Sequence, residues 1–116
     1  MSGTGNKLSS QQCSDLPATE SPLSITEVSQ LVQTLDPPWQ LNTEQHTISH
    51  TYRFKDYYQT MAFVNVIAQI AHQQNHHPDL KISYNRCTVN YRTHSVNGIS
   101  MNDFICAAKI NTAQVL

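Results

Sequence analysis

Residues 46–74 read HTISHTYRFKDYYQTMAFVNVIAQIAHQQ, and the hydrophobic period changes in the middle of this stretch. In residues 46–54 the even positions carry histidine, isoleucine, tyrosine and phenylalanine, whereas the odd positions carry threonine, serine and arginine. This period of two predicts a β-strand with one covered face. From Asp56 to Gln74 the apolar side chains recur every three or four residues on two sides. That pattern predicts a long helix that packs against a sheet and could also meet a second subunit.

The segments around this stretch complete a simple pattern. Ser24 and Glu27 form a capping box at the start of a helix over 24–35, and Asp36-Pro37-Pro38 ends that helix. A shift in the apolar phase places a turn at Asn85-Arg86. The other predicted elements are a strand over 39–41, strands over 80–84 and 87–93, and a helix over 100–114. This order predicts an α+β domain of two layers, with a four-stranded antiparallel sheet and helices packed on one face.

Length and composition bound the organisation of the chain. The 116 residues have room for one domain. Residues 1–22 are rich in Ser, Gln, Thr and Gly and offer few apolar side chains, so they are predicted to be a disordered tail before a domain over 23–116. Only 13% of residues are charged and the net charge is −1, which argues against direct nucleic-acid binding and against an anionic membrane surface.

Location is predicted from what the sequence lacks. The most apolar run, Met61–Ala71, is interrupted by Asn65 and Gln69 and is far shorter than the roughly 20 residues of a membrane span. The first residues show neither the apolar stretch of a secretory signal nor the arginines of a transit peptide. We therefore expect a soluble, cytoplasmic protein.

Histidines are the chemically conspicuous residues. The chain has six, and four of them lie between His72 and His94. The tightest group, His72-Gln-Gln-Asn-His76-His77-Pro78, falls at the end of the predicted long helix. Imidazole both gives and takes protons near neutral pH, so a pair can supply the acid and the base of one reaction. For His72 alone, a structural role at the helix C-terminus is the competing interpretation.

A metal site is the rival chemical hypothesis. His72 and His76 are four residues apart and would share a helix face, as zinc ligands often do, with His77, His94 or Asp103 as a third ligand. The spacing supplies no general-base glutamate, which disfavours a metallohydrolase. Nucleophilic catalysis by a thiol is also disfavoured. The three cysteines form no CxxC pair, and Cys87 and Cys106 are interpreted as small core residues.

The histidine cluster belongs to a longer spaced pattern. Tyr84 follows Pro78 after five residues, His94 follows after nine more, and Asp103 after another eight. This pattern resembles the signature of the pterin-4a-carbinolamine dehydratases. The resemblance extends over about residues 23–115, including Trp39, the strand over 48–54 and the junction over 53–57. It departs from the family pattern at His72, where glutamate is usual, and at Asn75, where an acidic residue is common.

The resemblance implies a function and roles for residues. It implies that water is removed from a 4a-hydroxytetrahydropterin to give quinonoid dihydropterin, in tetrahydrobiopterin recycling, without metal or cofactor. His76, His77 and His94 would share the acid and base work, with the allocation left open. The implied substrate-binding residues are His72, Asn75, Pro78 and Asp103. Asp103 would orient a histidine or the pterin, although it also stands three residues after Ser100, where a capping box would place it.

The resemblance also implies partners. Members of the family assemble as dimers or tetramers, so we expect a homo-oligomer, and the activity supports aromatic amino-acid hydroxylases. Some members act as dimerisation cofactors of a transcription factor. The alternative to the enzyme is therefore a non-catalytic protein-binding or coactivator module on the same fold. Retention of all three histidines favours the enzyme.

Overall fold

The computed structural model describes residues 8–114, which form an open antiparallel sheet with three helices on one face. The elements in chain order are α1 (Ile25–Thr34), β1 (Gln40–Asn42), β2 (Thr47–Arg53), α2 (Tyr57–Gln74), β3 (Asp79–Ser83), β4 (Arg86–Tyr91) and α3 (Met101–Gln114). A single 3-10 turn, His94–Val96, separates β4 from α3. The predicted α+β class and element order are confirmed, with element ends within two residues of those expected.

The sheet has the order β1-β2-β4-β3, so that β2 and β4 form its centre. Ile48 lies opposite Tyr91 and Tyr52 lies opposite Cys87 in the antiparallel register. All four side chains are buried, because this register puts them on the face that the helices cover. The other face is polar and includes a hydrogen bond of 2.8 Å between the Thr51 and Thr88 hydroxyls.

A capping box at Ser24 fixes the start of α1. The Ser24 hydroxyl accepts from the Glu27 amide at 3.1 Å, and the Glu27 carboxylate accepts from the Ser24 amide at 3.0 Å. This is the predicted capping box. The sequence spacing puts Ile25, Val28 and Val32 on one apolar stripe. Val28 and Val32 are buried as this predicts, whereas Ile25 is more than half exposed. A residue in the first turn projects beyond the edge of the core that the later turns cover.

The long helix α2 is only partly covered within one chain. Asp56 caps it by accepting from the Gln59 amide at 2.8 Å, and Phe63 and Ile67 are buried against the sheet and α3. On other sides of the helix Tyr58 is 82% exposed and Val66 is 41% exposed. The sequence predicted a second apolar side made of Phe63, Val66 and Ile70. Phe63 is buried and Ile70 packs against the core, so of these three only Val66 faces outward in the single chain. No helix within residues 8–114 has the length and apolar character needed to cross a bilayer.

Residues 8–22 differ from the disordered tail that composition predicted. Leu8 is buried in the core, and Lys109 Nζ donates to the Ser9 carbonyl at 2.9 Å. Asn102 exchanges two hydrogen bonds with the backbone of Ser14, at 3.1 and 2.8 Å. Composition missed this packing because one leucine and backbone polar groups make it. Residues 1–7 of the predicted tail and residues 115–116 of the predicted domain lie outside the described part.

Candidate active site

The end of α2 places the histidine cluster. Asn75 adopts the left-handed conformation, φ 51° and ψ 43°, and its amide donates to the carbonyls of Ala71 and His72. The His76 amide then donates to the Ala71 carbonyl at 3.1 Å. Asparagine enters this region more readily than most residues because its short polar side chain can bond locally. The chain therefore turns sharply, and His76, His77 and Pro78 lead from α2 into β3.

A cleft of about 360 Å³ opens at this turn. Its polar wall is made by the histidine cluster and its apolar wall by α2 and β3. The lining residues are Ile67, Ala68, Ala71, His72, Asn75, His76, His77, Pro78 and Leu80. A mostly apolar concave site with a few convergent polar groups is the usual form of a small-molecule site.

His76 is the histidine whose ring is fixed. Its Nε2 lies 2.6 Å from Oδ1 of Asp103, and its side chain is 13% exposed. The Tyr91 ring stacks on the imidazole with centroids 5.0 Å apart and an interplanar angle of 24°. The Tyr91 hydroxyl also donates to the His76 carbonyl at 3.0 Å. Both the position and the rotation of the imidazole are therefore determined by neighbours.

Asp103 stands behind His76 and is completely buried. Its second oxygen, Oδ2, accepts from the Thr93 hydroxyl at 2.9 Å and from the Ser100 backbone amide at 2.9 Å. The Ser100 hydroxyl in turn accepts from the Asn102 amide at 3.2 Å, at the start of α3. A buried carboxylate needs such donors because removing it from water is otherwise costly. Asp103 thus caps α3 with one oxygen and holds His76 with the other.

Burial keeps the Tyr91 phenol protonated. Desolvation, supported by the neighbouring Cys106, Cys13 and Asp103, raises the pKa of Tyr91 well above its usual value. The hydroxyl therefore remains a donor to the His76 carbonyl across the physiological range. Tyr91 thus contacts His76 twice, through a hydrogen bond to its backbone carbonyl and through stacking on its imidazole ring.

The remaining candidate residues occupy different positions. His77 is exposed on the cleft wall, and His72 is exposed on the last turn of α2. His94 is exposed, begins the 3-10 turn directly after Thr93, and does not line the cleft. Because α2 ends at Gln74, His72 and His76 do not share one helix face as the metal hypothesis supposed. Within residues 8–114 no three His, Cys, Asp or Glu side chains form a group that could hold a metal ion.

Sequence reasoning misjudged some neighbours of the site. Because the sequence pattern places Tyr84 inside a strand, it predicts mainly a packing role, whereas Tyr84 is 63% exposed at the turn between β3 and β4. Tyr91, on the covered face of β4, is buried instead. Thr93 was not singled out, since a threonine at a strand end carries no signal. Its contact with Asp103 arises only when the end of β4 meets the start of α3.

Comparison with known proteins identifies the family. The family model described as pterin 4 alpha carbinolamine dehydratase matches residues 21–113. The chain belongs to that family. A Nitrosospira multiformis protein is 48% identical to this chain over 112 residues. That relative is named as a candidate pterin-4-alpha-carbinolamine dehydratase. The match covers 97% of this chain and 96% of the relative.

Two solved structures share the fold. A Brucella melitensis protein described as a transcriptional coactivator/pterin dehydratase has a TM-score of 0.74 at 32% identity, covering 79% of this chain and 97% of that one. A pterin dehydratase-like protein, identified as a RuBisCO assembly factor in the alpha-carboxysome, has a TM-score of 0.56 at 16% identity. It covers 64% of this chain and 86% of its own. The second likeness concerns the fold alone.

Proposed function

We propose that this chain removes water from a 4a-hydroxytetrahydropterin to give the quinonoid dihydropterin, through general acid and base catalysis by histidines. The observation that carries the proposal is His76 on the wall of a cleft, held from behind by the buried Asp103, in a chain of the dehydratase family. In a cell this activity would regenerate the quinonoid product after an aromatic amino-acid hydroxylase has released the carbinolamine. We place that work in the cytoplasm.

The reaction needs two proton transfers. The C4a–O bond breaks with its electron pair on oxygen, and an acid must protonate that oxygen so that it leaves as water rather than hydroxide. A ring nitrogen gives its proton to a base, and the freed electron pair forms the new C=N bond. Each transfer is work that a positioned imidazole performs, typically for about 10²- to 10⁴-fold in rate. The residues of this cleft can supply both transfers.

The contact with Asp103 determines which ring nitrogen of His76 carries the hydrogen. A carboxylate only accepts hydrogen bonds, so the His76 Nε2 carries a hydrogen and donates it to Oδ1. The lone pair of neutral His76 then lies on Nδ1, which makes no hydrogen bond to residues 8–114. We propose that this nitrogen takes part in the proton transfers, because His76 lines the cleft. This is the arrangement by which a carboxylate orients a catalytic imidazole.

We assign His77 and His94 to the same proton transfers, with the division among the three histidines open. His77 shares the cleft wall with His76. His94 follows Thr93, which bonds Asp103, so the 3-10 turn carrying His94 is attached to the same carboxylate. His72, Asn75 and Pro78 line the cleft and are proposed to contact the pterin. Asp103 is fully buried and is proposed to act through His76.

The test is a rate measurement on the purified chain. An aromatic amino-acid hydroxylase generates the carbinolamine in place, and its decay is followed by ultraviolet absorbance. We expect His76→Ala and His77→Ala each to lower the enzymic rate by about 10- to 1,000-fold. Gln73→Ala, an exposed residue of the same helix end that does not line the cleft, is the matched control. Full activity of the double histidine variant would refute the mechanism.

A non-catalytic protein-binding or coactivator role is the second candidate. It is favoured by one observation, the description of the Brucella melitensis relative as both coactivator and pterin dehydratase. The same assay separates the two roles, because a binding module would not accelerate carbinolamine decay. A chain with no such acceleration would leave the binding role as the better explanation.

We further propose that the chain forms a homodimer or homotetramer through the outward side of α2. The support is the exposure of Tyr57, Tyr58 and Val66 on that helix, which a monomer would leave in water. Light scattering after size-exclusion chromatography measures the mass directly. A monomer at micromolar concentration would contradict this proposal, and Val66→Asp should shift a dimer or tetramer toward smaller species.

A further inference from the structure

Two of the three cysteines lie side by side although 93 residues separate them. The sulfur atoms of Cys13 and Cys106 are 3.5 Å apart and share a hydrogen bond. Cys106 is fully buried in α3, whereas Cys13 is partly exposed. All three cysteines of the chain are free thiols, and Cys87 is buried in β4 on the covered face of the sheet.

Several contacts on both sides hold Cys13 at this place. Its amide donates to Oε1 of Gln74 at 2.8 Å, and its thiol also approaches the Asn102 carbonyl at 3.6 Å. The next residue, Ser14, exchanges two hydrogen bonds with the Asn102 side chain. Upstream, Leu8 is buried in the core. The closeness of the two thiols is therefore fixed by the packing of residues 8–16 onto α2 and α3.

We propose that Cys13 and Cys106 are a redox modification site, at which a hydroperoxide converts the two thiols into an intramolecular disulfide. The Cys13 thiolate attacks one peroxide oxygen, the O–O bond breaks, and the departing oxygen takes a proton to leave as water or alcohol. The resulting sulfenic acid is attacked by the Cys106 sulfur, which loses its proton as the S–S bond forms, and the sulfenic oxygen leaves as water. The peroxide is reduced by two electrons and the thiol pair is oxidised by two.

The environment suits this order of events. The hydrogen bond with Cys106 lowers the pKa of Cys13, and the nearby His76 adds a smaller effect in the same direction. The same hydrogen bond, followed by burial, raises the pKa of Cys106. The more exposed sulfur is therefore the better thiolate, and the buried sulfur is the resolving partner. Closing the bond requires the sulfurs to move from 3.5 Å to about 2.05 Å.

The bond would fasten the N-terminal segment to the helix that carries Asp103. Cys106 follows Asp103 by three residues in α3, which is about one helical turn. Gln74, which binds the Cys13 amide, immediately precedes the turn that places His76. The disulfide would therefore restrain α3 and the end of α2, the two elements that position Asp103 and His76 behind the cleft. The proposal concerns thiol chemistry and does not depend on the dehydratase activity.

The test uses the full chain and hydrogen peroxide. Oxidised protein is denatured, its remaining thiols are alkylated, and the protein is digested with trypsin without reduction. Cleavage after residues 7, 53, 86, 92 and 109, five of the seven lysines and arginines, puts the cysteines in separate peptides, 8–53, 87–92 and 93–109. We expect 8–53 linked to 93–109 in protein that runs as a single chain on a denaturing gel without reductant, with 87–92 alkylated. A reducing thiol should release the link.

Three variants control the assignment. Cys13→Ser and Cys106→Ser should each abolish the linked peptide pair, whereas Cys87→Ala should leave it unchanged. Hydrogen exchange gives a second measure, because the disulfide should slow exchange of the amides over 11–16. The proposal is overturned if peroxide drives Cys13 to sulfinic or sulfonic acid without the linked pair, or if Cys13 forms only links between chains.

Discussion

Replacing Asp103 with asparagine separates the two duties of this buried side chain. The substitution keeps the shape of the side chain but replaces one accepting oxygen with an amide group that donates. Ser100 N–H and the Thr93 hydroxyl both donate to Oδ2, and His76 Nε2 donates to Oδ1. The backbone amide of Ser100 can only donate, so the amide oxygen of the Asp103→Asn protein should face it. The amide NH₂ then faces His76.

The magnitude follows from this geometry. Two donors would meet across a contact that is 2.6 Å in the parent protein. A buried donor without an acceptor costs about 1–3 kcal/mol, so His76 is driven to carry its hydrogen on Nδ1 instead. At about 1.36 kcal/mol for each factor of ten, the tautomer with its lone pair on Nδ1 becomes about 5- to 160-fold less populated. We expect kcat/KM for carbinolamine dehydration to fall by a similar factor.

The assay is the dehydration rate as a function of pH, with urea unfolding on the same samples. The parent and Asp103→Asn proteins should both unfold cooperatively, and the pH profile of the variant should change along with its rate. Thr93→Val is the matched control, since it removes a donor to Oδ2 and leaves the contact with His76. It should lower stability by about 1–3 kcal/mol, since the Ser100 hydroxyl also loses its contact with Thr93, and it should lower kcat/KM by less than Asp103→Asn does because the His76 tautomer is kept. Activity of Asp103→Asn within twofold of the parent would show that Asp103 serves only as a cap.

Three further substitutions test the scaffold. Asn111→Ala should lower the free energy of unfolding by about 2–4 kcal/mol, because the buried Trp39 indole and Tyr52 hydroxyl both lose their acceptor, and an unchanged urea midpoint would contradict this. Ser24→Ala should cost about 1 kcal/mol through loss of the cap hydrogen bond, and a loss below about 0.2 kcal/mol, which is within the error of urea unfolding, would refute the cap. Desolvation lowers the pKa of His50 in the folded protein, because burial disfavours the charged imidazole. The stability that neutral His50 contributes is therefore fully present above the unfolded pKa of about 6.5, and it is lost as the pH falls through the folded pKa. His50→Gln should therefore make urea stability fall less between about pH 7 and pH 5, and parallel pH dependences in the two proteins would count against it.

The parts of the fold that sequence predicted well are those where one periodicity fills a whole element. The alternation over 46–54 and the helical spacing over 56–74 gave β2 and α2 to within a residue at most ends. The capping box at Ser24 was visible because both of its partners lie within four residues. Cys87 and Cys106 were correctly interpreted as core residues. Such features depend only on neighbours along the chain.

The features that sequence could not give depend on residues far apart. The family resemblance left open whether Asp103 orients a histidine or the pterin, and the structure pairs it with His76 across 27 residues. The contact of Cys13 with Cys106 spans 93 residues and was not predicted. Asn75 shows the same limit in another form. In the sequence Asn75 stands out only because an acidic residue is common at that position in the family. In the structure its left-handed backbone conformation ends α2. Composition likewise could not foresee that Leu8 is buried, because a single leucine does not alter a polar segment.

The burial of Asp103 ties the stability of the domain to the state of the cleft. A carboxylate without exposure is tolerable only when its oxygens are satisfied, and here the donors come from β4's end, the start of α3 and the turn after α2. Those three segments must therefore be assembled before the carboxylate can be buried at low cost. Once they are, the His76 imidazole is held by the same contacts that close α3. The orientation of the histidine is thus a consequence of completing the fold and needs no separate ordering when a substrate enters.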